Sequence, residues 1–551
     1  MSRTPVDHDL SRREVLEAGA GALALAVTGP QLAASPATAQ TPKRGGVFRL
    51  CNLLDAVGFD PHQTTSFATM IPLSFTHSRL VKVKAGASVK PGTYPVEPDL
   101  AESWTRETDT TYVFKLKKGV RWHPKPPVNG RELTAEDVRY TYERFQSTKN
   151  NGNRPTLEMV DKVEAPDKYT VKFTLKEPYA WFPDALASTS TWIVAREAVE
   201  KFGDLKRPEA VIGSGPWMME RWEPNVRMIF ARNPGYFVSG LPYADGVELT
   251  VDRDPSSRLA AWLAGKFDFA PEYQQVVRRL DLPVAKQRKP GLQTMEYPWL
   301  VTGFVGVRLA DEPFKDVRVR RALARATSLV EIFESNAFSL GQWVPNPIVP
   351  AGFAEWSIPI DQLGPEGRKN FEFSIPEAKR LLAEAGLGAG FKTTLETTAG
   401  YGPDYMDYVQ ILVKNWKAAG LDAELKLKEY GAFISSTIFG KFDKMMAGLI
   451  PSYSEPDSYL ARPYTPGSPI NIMGVNDAKL NDLIHAQRRM TDPKKRREIV
   501  FDAQRHISEA GYFGVGGSAR VVTAWDAHVK NYSPNNGYDY GGRLTAAWLD
   551  K

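Results

Sequence analysis

Helix-start signals and strand-like segments alternate along this chain, which at 551 residues is too long for a single hydrophobic core. Asp254-Pro255 and Asp492-Pro493 each place a helix N-cap residue before a proline at the first helical position. Segments such as Leu421–Leu427 have the alternating composition of strands. The alternation predicts an α/β fold with at least two lobes.

The first 39 residues have the order of a secretion signal. Arg12-Arg13 precede a mildly apolar run of small residues from 18 to 34, and Ala37–Ala39 then offer an A-x-A cleavage site. The run is too short and too rich in glycine and proline to anchor the chain in a bilayer. We therefore predict a cleaved twin-arginine-type signal peptide over residues 1–39, a mature chain that begins at Gln40, and export in soluble form.

The charge of the chain does not indicate a nucleic-acid partner. The formal net charge is only +6 among 70 basic and 64 acidic residues. The block Lys494–Arg497 stands beside Glu498 and Asp502 on a helical pattern, which predicts a solvated helix face.

Catalytic and cofactor motifs are missing. Gly213–Gly215 has the wrong spacing for a nucleophile elbow, and Gly440-Lys441 lacks the rest of a phosphate loop. No two of the seven histidines have zinc-ligand spacing. The single cysteine, Cys51, lies in a predicted strand and reads as an inert buried side chain. We expect no enzyme activity, metal or cofactor, although two distant carboxylates could still converge in a hydrolase.

Aromatic residues in apolar, turn-flanked segments are candidates for a binding cleft. Trp299 and Tyr453 are of this kind, although each taken alone is also typical of a core residue. Two glycine-containing apolar segments, Met295–Val307 and Tyr512–Ala524, have the character of crossings between lobes.

Several collinear blocks resemble the family-5 extracellular solute-binding proteins, the peptide- and nickel-binding group. Each block alone is weak and has a structural explanation, such as a helix cap or a turn, but their shared order along the chain is specific. The matching blocks are Pro98–Trp104, Tyr112–Trp122, Thr134–Val138, Gly213–Trp217, Arg232–Phe237, Pro313–Arg320 and Pro376–Gly386.

The resemblance implies a two-lobed periplasmic-binding-protein fold with the ligand cleft between the lobes. Lobe I would comprise residues 40–300, with an extra subdomain at about 75–210, and lobe II residues 301–512, with 513–551 returning to lobe I. It also implies a monomer in the periplasm that passes a peptide-like or similarly sized solute to the membrane subunits of an ABC permease and their ATPase. A ligand-sensing or chaperone-like protein that docks to a receptor is the competing function.

The resemblance also indicates ligand contacts at three places. Leu54, Asp55 and Ala56 precede the turn at Phe59–Pro61, where peptide binders of the family pair with peptide backbone. Arg308 stands where an asparagine is common in the family.

The third place is a loop in the second lobe that begins Gly448-Leu449-Ile450 and contains Ser452 and Tyr453. Ser452 replaces the aspartate that binds a peptide's α-ammonium in the family, and Leu449 replaces a tryptophan. These departures predict a ligand that is not anchored through a free α-amino group, such as an acidic, N-blocked or sugar-conjugated molecule. The alternative is that Asp55 or Glu455 binds the ammonium instead.

Overall fold

The computed structural model describes residues 41–89, 92–274, 276–334, 343–353, 355–451, 453, 455–512, 517–534 and 537–551, so the predicted signal peptide lies outside the described residues. Residues 43–551 form one compact unit. The strands are β1 (Val47–Asn52), β2 (Val81–Val83), β3 (Val96–Pro98), β4 (Ala101–Thr108), β5 (Thr111–Leu116), β6 (Val160–Asp167), β7 (Thr170–Leu175), β8 (Trp217–Glu223), β9 (Arg227–Arg232), β10 (Gly246–Val251), β11 (Phe269–Ala270), β12 (Gln293–Pro298), β13 (Thr302–Val307), β14 (Trp343–Pro345), β15 (Phe391–Thr398), β16 (Leu421–Lys428), β17 (Met445–Ile450), β18 (Gly517–Trp525), β19 (Val529–Lys530) and β20 (Trp548–Leu549). The helices are α1 (Phe67–Thr76), α2 (Ala135–Ser147), α3 (Phe182–Leu186), α4 (Arg196–Phe202), α5 (Pro255–Leu263), α6 (Leu282–Arg288), α7 (Val317–Arg325), α8 (Leu329–Glu334), α9 (Pro365–Lys369), α10 (Ile375–Glu384), α11 (Pro403–Ala419), α12 (Tyr430–Ser435), α13 (Asp457–Tyr464), α14 (Ala478–Arg489), α15 (Pro493–Ala510) and α16 (Tyr540–Leu544). The predicted α/β fold is confirmed.

The first part of the chain contains two four-stranded sheets. In one, β1 runs parallel to β10, and β9 and β8 continue the sheet antiparallel, in the order β1-β10-β9-β8. In the other, β4, β5, β7 and β6 are antiparallel neighbours. The second sheet packs with α2 over a separate hydrophobic core whose buried residues all fall between 80 and 212, which is close to the segment expected to form an extra subdomain.

An eight-stranded sheet joins strands from both halves of the chain. Its order is β11-β18-β13-β17-β15-β16, with β12 and β14 also paired to β18. The long strand β18 pairs with β12 through residues 520–525 and meets β13 and β14 through residues 517–519. Of the two segments predicted as crossings, Met295–Val307 covers most of β12 and all of β13, and Tyr512–Ala524 covers most of β18. β18 is hydrogen-bonded to both β12 and β13.

The predicted helix starts are confirmed by their hydrogen bonds. The Asp254 carboxylate accepts from the Ser257 backbone N–H at 2.7 Å, and Asp492 accepts from Lys495 at 2.9 Å. The helix opened by Asp492 ends at Gly511, whose φ of 63° favours glycine. These signals involve residues three apart, so the sequence reports them directly.

The prediction of a solvated face at Lys494–Arg497 is wrong for Arg496. Lys494 and Lys495 are exposed, but Arg496 is 1 % exposed, paired with the buried Glu455. Its guanidinium lies 4.4 Å from the ring centroid of Trp181 and 4.9 Å from that of Trp356. The helix periodicity turns one residue of this basic block inward, and the aromatic and acidic partners come from distant segments.

Candidate functional site

Two adjoining cavities lie among segments that are far apart in sequence. The aromatic cavity has a volume of about 50 Å³ and the arginine cavity about 40 Å³, and the two share part of their walls. The aromatic cavity is lined by Leu53, Thr65, Phe67, Tyr273, Trp299, Val301, Tyr401, Tyr430, Ile434, Ile438, Leu449, Pro451 and Tyr538. The arginine cavity is lined by Thr65, Phe304, Ile438, Leu449, Ile450, Pro451, Tyr453, Ser458, Arg462, Pro463, Ile470 and Ile472.

Strand pairing explains how these walls meet. β13 and β17 are antiparallel, and Thr302 at the start of β13 lies opposite Ile450 at the end of β17. Trp299, just before β13, and Leu449, in β17, are thereby brought to the same end of the sheet. The loop after β17 then leads into α13, which carries Arg462.

The wall of the aromatic cavity is neutral and built from rings in contact. Tyr273 lies 5.2 Å from Trp299 and 4.7 Å from Tyr538, measured between ring centroids. The Tyr430 hydroxyl is 3.0 Å from the Ser66 hydroxyl, and burial raises the pKa of Tyr430 above its usual range. The Trp299 indole N–H is buried and has no hydrogen-bond partner among the residues that the structure describes. This wall offers apolar stacking surfaces and one indole donor to a ligand.

Arg462 is the one charged residue, among those the structure describes, that lines either cavity. It is fully buried, and its Nη1 and Nη2 both donate to Asn153 Oδ1 at 3.1 Å. Nη1 also donates to Thr156 Oγ1 at 3.1 Å, and the guanidinium lies 4.3 Å from the Tyr453 ring centroid. Burial lowers the pKa of Arg462 because it removes the water that would solvate the charge.

The structure brings four of the predicted site residues to the cavities: Trp299 and Leu449 line the aromatic cavity, and Leu449, Ile450 and Tyr453 line the arginine cavity. Leu54, Asp55 and Ala56 line a neighbouring groove of about 620 Å³, which shares Tyr430 with the aromatic cavity.

Two predicted site residues, Arg308 and Gly448, are placed differently, and a third is not described. Arg308 lines neither cavity nor the groove; its side chain is 41 % exposed and contacts Asp311 at 3.3 Å and the Gly440 carbonyl at 3.1 Å. Gly448 is buried in β17 opposite Phe304, where it contributes packing rather than a cavity wall. Ser452 lies outside the described residues. Arg308 therefore adds no charge to the walls of the two cavities or of the groove.

The two acids considered as substitutes for the missing aspartate are already engaged. Asp55 accepts from the Trp222 indole N–H at 3.0 Å and from the Asn225 backbone N–H at 2.7 Å. Glu455 is paired with Arg496, and burial raises its pKa to about 7. Within the described residues, no aspartate or glutamate lines either cavity.

Two properties of the described residues bear on the class of site. They contain no cluster of three or more histidine, cysteine, aspartate or glutamate side chains that could hold a metal ion. They also contain no helix long and apolar enough to cross a bilayer. Burial raises the pKa of the Cys51 thiol to about 12, which keeps it protonated and unreactive at neutral pH.

Sequence reasoning missed most of the cavity wall. Thr65, Tyr273, Tyr430 and Tyr538 come from segments without any local pattern that marks a ligand site. For Arg462, a weak signal existed: it lies on the helix that directly follows the predicted ligand loop.

Comparison with known proteins identifies the family. The model of the bacterial extracellular solute-binding proteins, family 5 Middle, matches residues 95–470. The di/tripeptide-binding protein 3 of Pseudomonas aeruginosa is 29 % identical over 515 residues, covering 88 % of this chain and 90 % of that protein. The dipeptide-binding protein of Escherichia coli is 27 % identical over 477 residues, covering 81 % of this chain and 84 % of that protein.

A solved structure shows the same fold. The periplasmic binding protein DppA of Helicobacter pylori, in complex with the peptide STSA, matches with a TM-score of 0.79 at 22 % sequence identity, over 92 % of this chain and 99 % of that one. The family match covers more than half of the chain, in the collinear order of the sequence blocks described above. This protein belongs to the bacterial extracellular solute-binding proteins of family 5.

Proposed function

We propose that this chain is the periplasmic substrate-binding component of an ABC importer. It is exported through the twin-arginine signal, loses residues 1–39, encloses a peptide-sized solute and delivers it to a permease and its ATPase. Family membership and relatives that carry the names of di- and tripeptide-binding proteins support this role.

The observation that carries the proposal is the origin of the cavity walls. With lobe I taken as residues 40–300 plus 513–551, it supplies Thr65, Trp299 and Tyr538 to the aromatic cavity. Lobe II, residues 301–512, supplies Tyr430 and Leu449 to the same cavity. A ligand held there contacts both lobes at once, so its binding energy favours the state in which the lobes are together.

Direct contacts between the two proposed lobes show what the closed state gains. Ser66 meets Tyr430 at 3.0 Å, and the Trp181 indole donates to the Met490 carbonyl at 3.1 Å. Arg488 pairs with Glu158 at 2.6 Å. Arg489 also pairs with Glu177, and the rings of Trp181 and Trp356 are 6.2 Å apart between centroids, so the proposed lobes meet through both charged and aromatic side chains.

The ligand requires the shared cavity wall to move. The cavity volumes of about 50 and 40 Å³ are each far below the roughly 300 Å³ of a typical small-molecule site. Ile438, Leu449 and Pro451 separate the two cavities and belong to both walls. Their displacement merges the cavities into one site along which an extended small molecule lies.

The chemistry of the walls favours a ligand that is not held by a free α-amino group. An ammonium enclosed without a carboxylate would lose its hydration and gain no charged partner. Neither cavity has an acidic wall residue within the described part of the chain. N-blocked, acidic or sugar-conjugated molecules of peptide size meet this condition, and the protein binds them without converting them.

The test combines three measurements on the mature chain. Small molecules released from protein purified out of the periplasm are identified by mass spectrometry and added back to ligand-free protein. We expect the melting temperature to rise by the linkage RT ln(1 + [L]/Kd) and the radius of gyration to fall together. Stabilisation without compaction places the ligand on the surface, and a new product after long incubation reveals an enzyme; either result contradicts the proposal.

A further inference from the structure

We propose that Arg462 binds an oxyanion of the ligand, a carboxylate or a phosphate, at the end of the merged cavity. The inference rests on the proposed function and names the group by which the solute is recognised.

Arg462 is a buried cation without a carboxylate partner. Its hydrogen-bond acceptors, Asn153, Thr156 and the Tyr453 hydroxyl, are neutral, and among the residues that the structure describes no ion pair involves it. A buried charge left in this state is costly, and proteins normally pair it.

Other buried arginines in the described chain show the usual solution. Arg488 pairs with Asp457, Arg496 with Glu455 and Arg543 with Glu272. Arg258 and Arg320 lack such a partner but donate to backbone carbonyls, and neither lines the two cavities. Arg462 combines both properties, an uncompensated charge and a place in a cavity wall.

The hydrogen bonds of Arg462 leave one edge for a ligand. Nη1 donates to Asn153 and Thr156, Nη2 donates to Asn153, and Nε is buried without a partner. The N–H of Nε runs parallel to one N–H of Nη2, and this edge accepts two oxygens of one carboxylate or phosphate. Asn153 and Thr156 hold the guanidinium from its other edge, and Tyr453 packs on its face, so its orientation is fixed before the ligand arrives.

The two cavities then have separate roles. The aromatic cavity takes the apolar or planar part of the solute, and Arg462 takes its anionic end. Asn153 belongs to the proposed lobe I and Arg462 to lobe II. The same side chain therefore bonds across the lobes and to the ligand, which couples recognition of the anion to closure.

Calorimetry with matched ligand pairs tests the assignment. N-acetylated dipeptides as free acids are compared with their C-terminal amides, and sugar phosphates with the parent sugars, so the two sources of an oxyanion are distinguished. In the native protein the anionic member of at least one pair should bind about 10- to 100-fold more tightly, the range expected for a charge-assisted hydrogen-bonded pair. Equal affinity within every pair would overturn the proposal, whereas the absence of any binding would count against the proposed function.

Two variants assign the effect to one residue. Arg462→Gln should abolish the preference for the anionic member, while the matched control Arg308→Gln, with the same loss of charge at an exposed position, should keep it. Arg462→Lys keeps the charge without the Nε edge and should retain only part of the preference. If Arg462→Gln fails to fold, the test rests on Arg462→Lys and on the ligand pairs measured with native protein. The assignment is refuted if both Arg462 variants keep the full preference for the anionic ligand. It is also refuted if Arg308→Gln loses that preference.

Discussion

Replacing Arg496 with alanine probes how the loop beside the arginine cavity is held. Arg496 is 1 % exposed and its partner Glu455 is 3 % exposed. Arg496 also donates from Nε to Gln487 Oε1 at 2.9 Å and lies between Trp181 and Trp356. The substitution therefore leaves a buried carboxylate without its counter-charge and a space between two indoles.

The expected loss follows from that geometry. Breaking a buried ion pair by removing one partner costs about 3–5 kcal/mol of unfolding free energy. The neighbouring Arg497 has a side chain that is 40 % exposed and lies 3.7 Å from Glu498. Arg497→Ala should therefore lower the unfolding free energy by no more than about 0.5–1 kcal/mol.

Urea unfolding followed by tryptophan fluorescence compares the two variants. Because Glu455 loses its partner in Arg496→Ala, the double variant Arg496→Met with Glu455→Met should regain most of the stability. Equal losses in Arg496→Ala and Arg497→Ala, or no recovery in the double variant, would refute the reasoning.

Three shorter predictions follow from the sequence and the site. Arg12→Lys with Arg13→Lys should leave uncleaved protein in the cytoplasm, whereas native protein isolated from the periplasm should begin at Gln40 within a residue or two by N-terminal sequencing; normal export of the double variant would exclude the twin-arginine route. N-acetylated peptides should bind at least as tightly as free peptides by calorimetry, and strong binding that acetylation abolishes would contradict the absence of an ammonium site. Burial lowers the pKa of His123 from 6.5 to about 3, so between these pH values the unfolded chain binds a proton that the folded chain does not. The free energy of unfolding should therefore fall as the pH drops from about 6.5 toward 3. This pH dependence should be shallower in His123→Gln, and an unchanged slope would contradict the prediction.

Local signals made the fold readable from the sequence. A capping residue and the proline after it act within one turn, and for this reason Asp254 and Asp492 predicted their helices correctly. Collinear blocks then identified the family, because each block encodes a local turn or cap that the fold requires.

The site was predicted only in part because it is assembled from a distance. Trp299 and Tyr453 stood in segments whose apolar character was visible, Leu449 was indicated by the family resemblance, and all three line the cavities. Arg462 has the sequence context of an ordinary helix residue. Its role in the cavity wall is visible only in the folded structure, where it contacts Asn153 and Thr156, which are 309 and 306 residues away in sequence. Arg308 shows the converse: its position in the family pattern suggested the cleft, but an exposed contact with Asp311 holds it elsewhere.

Native mass spectrometry of protein purified from the periplasm tests the central claim most directly. The account predicts one small molecule bound per native chain, and much lower occupancy in Trp299→Ala, which removes a wall of the aromatic cavity. Trp104→Ala, a change of the same size in the separate core of residues 80–212, should keep its ligand. Capture in this cavity would be contradicted by equal ligand occupancy in both variants. It would also be contradicted if native protein carried no bound small molecule under conditions where its genes are expressed and the solute is supplied.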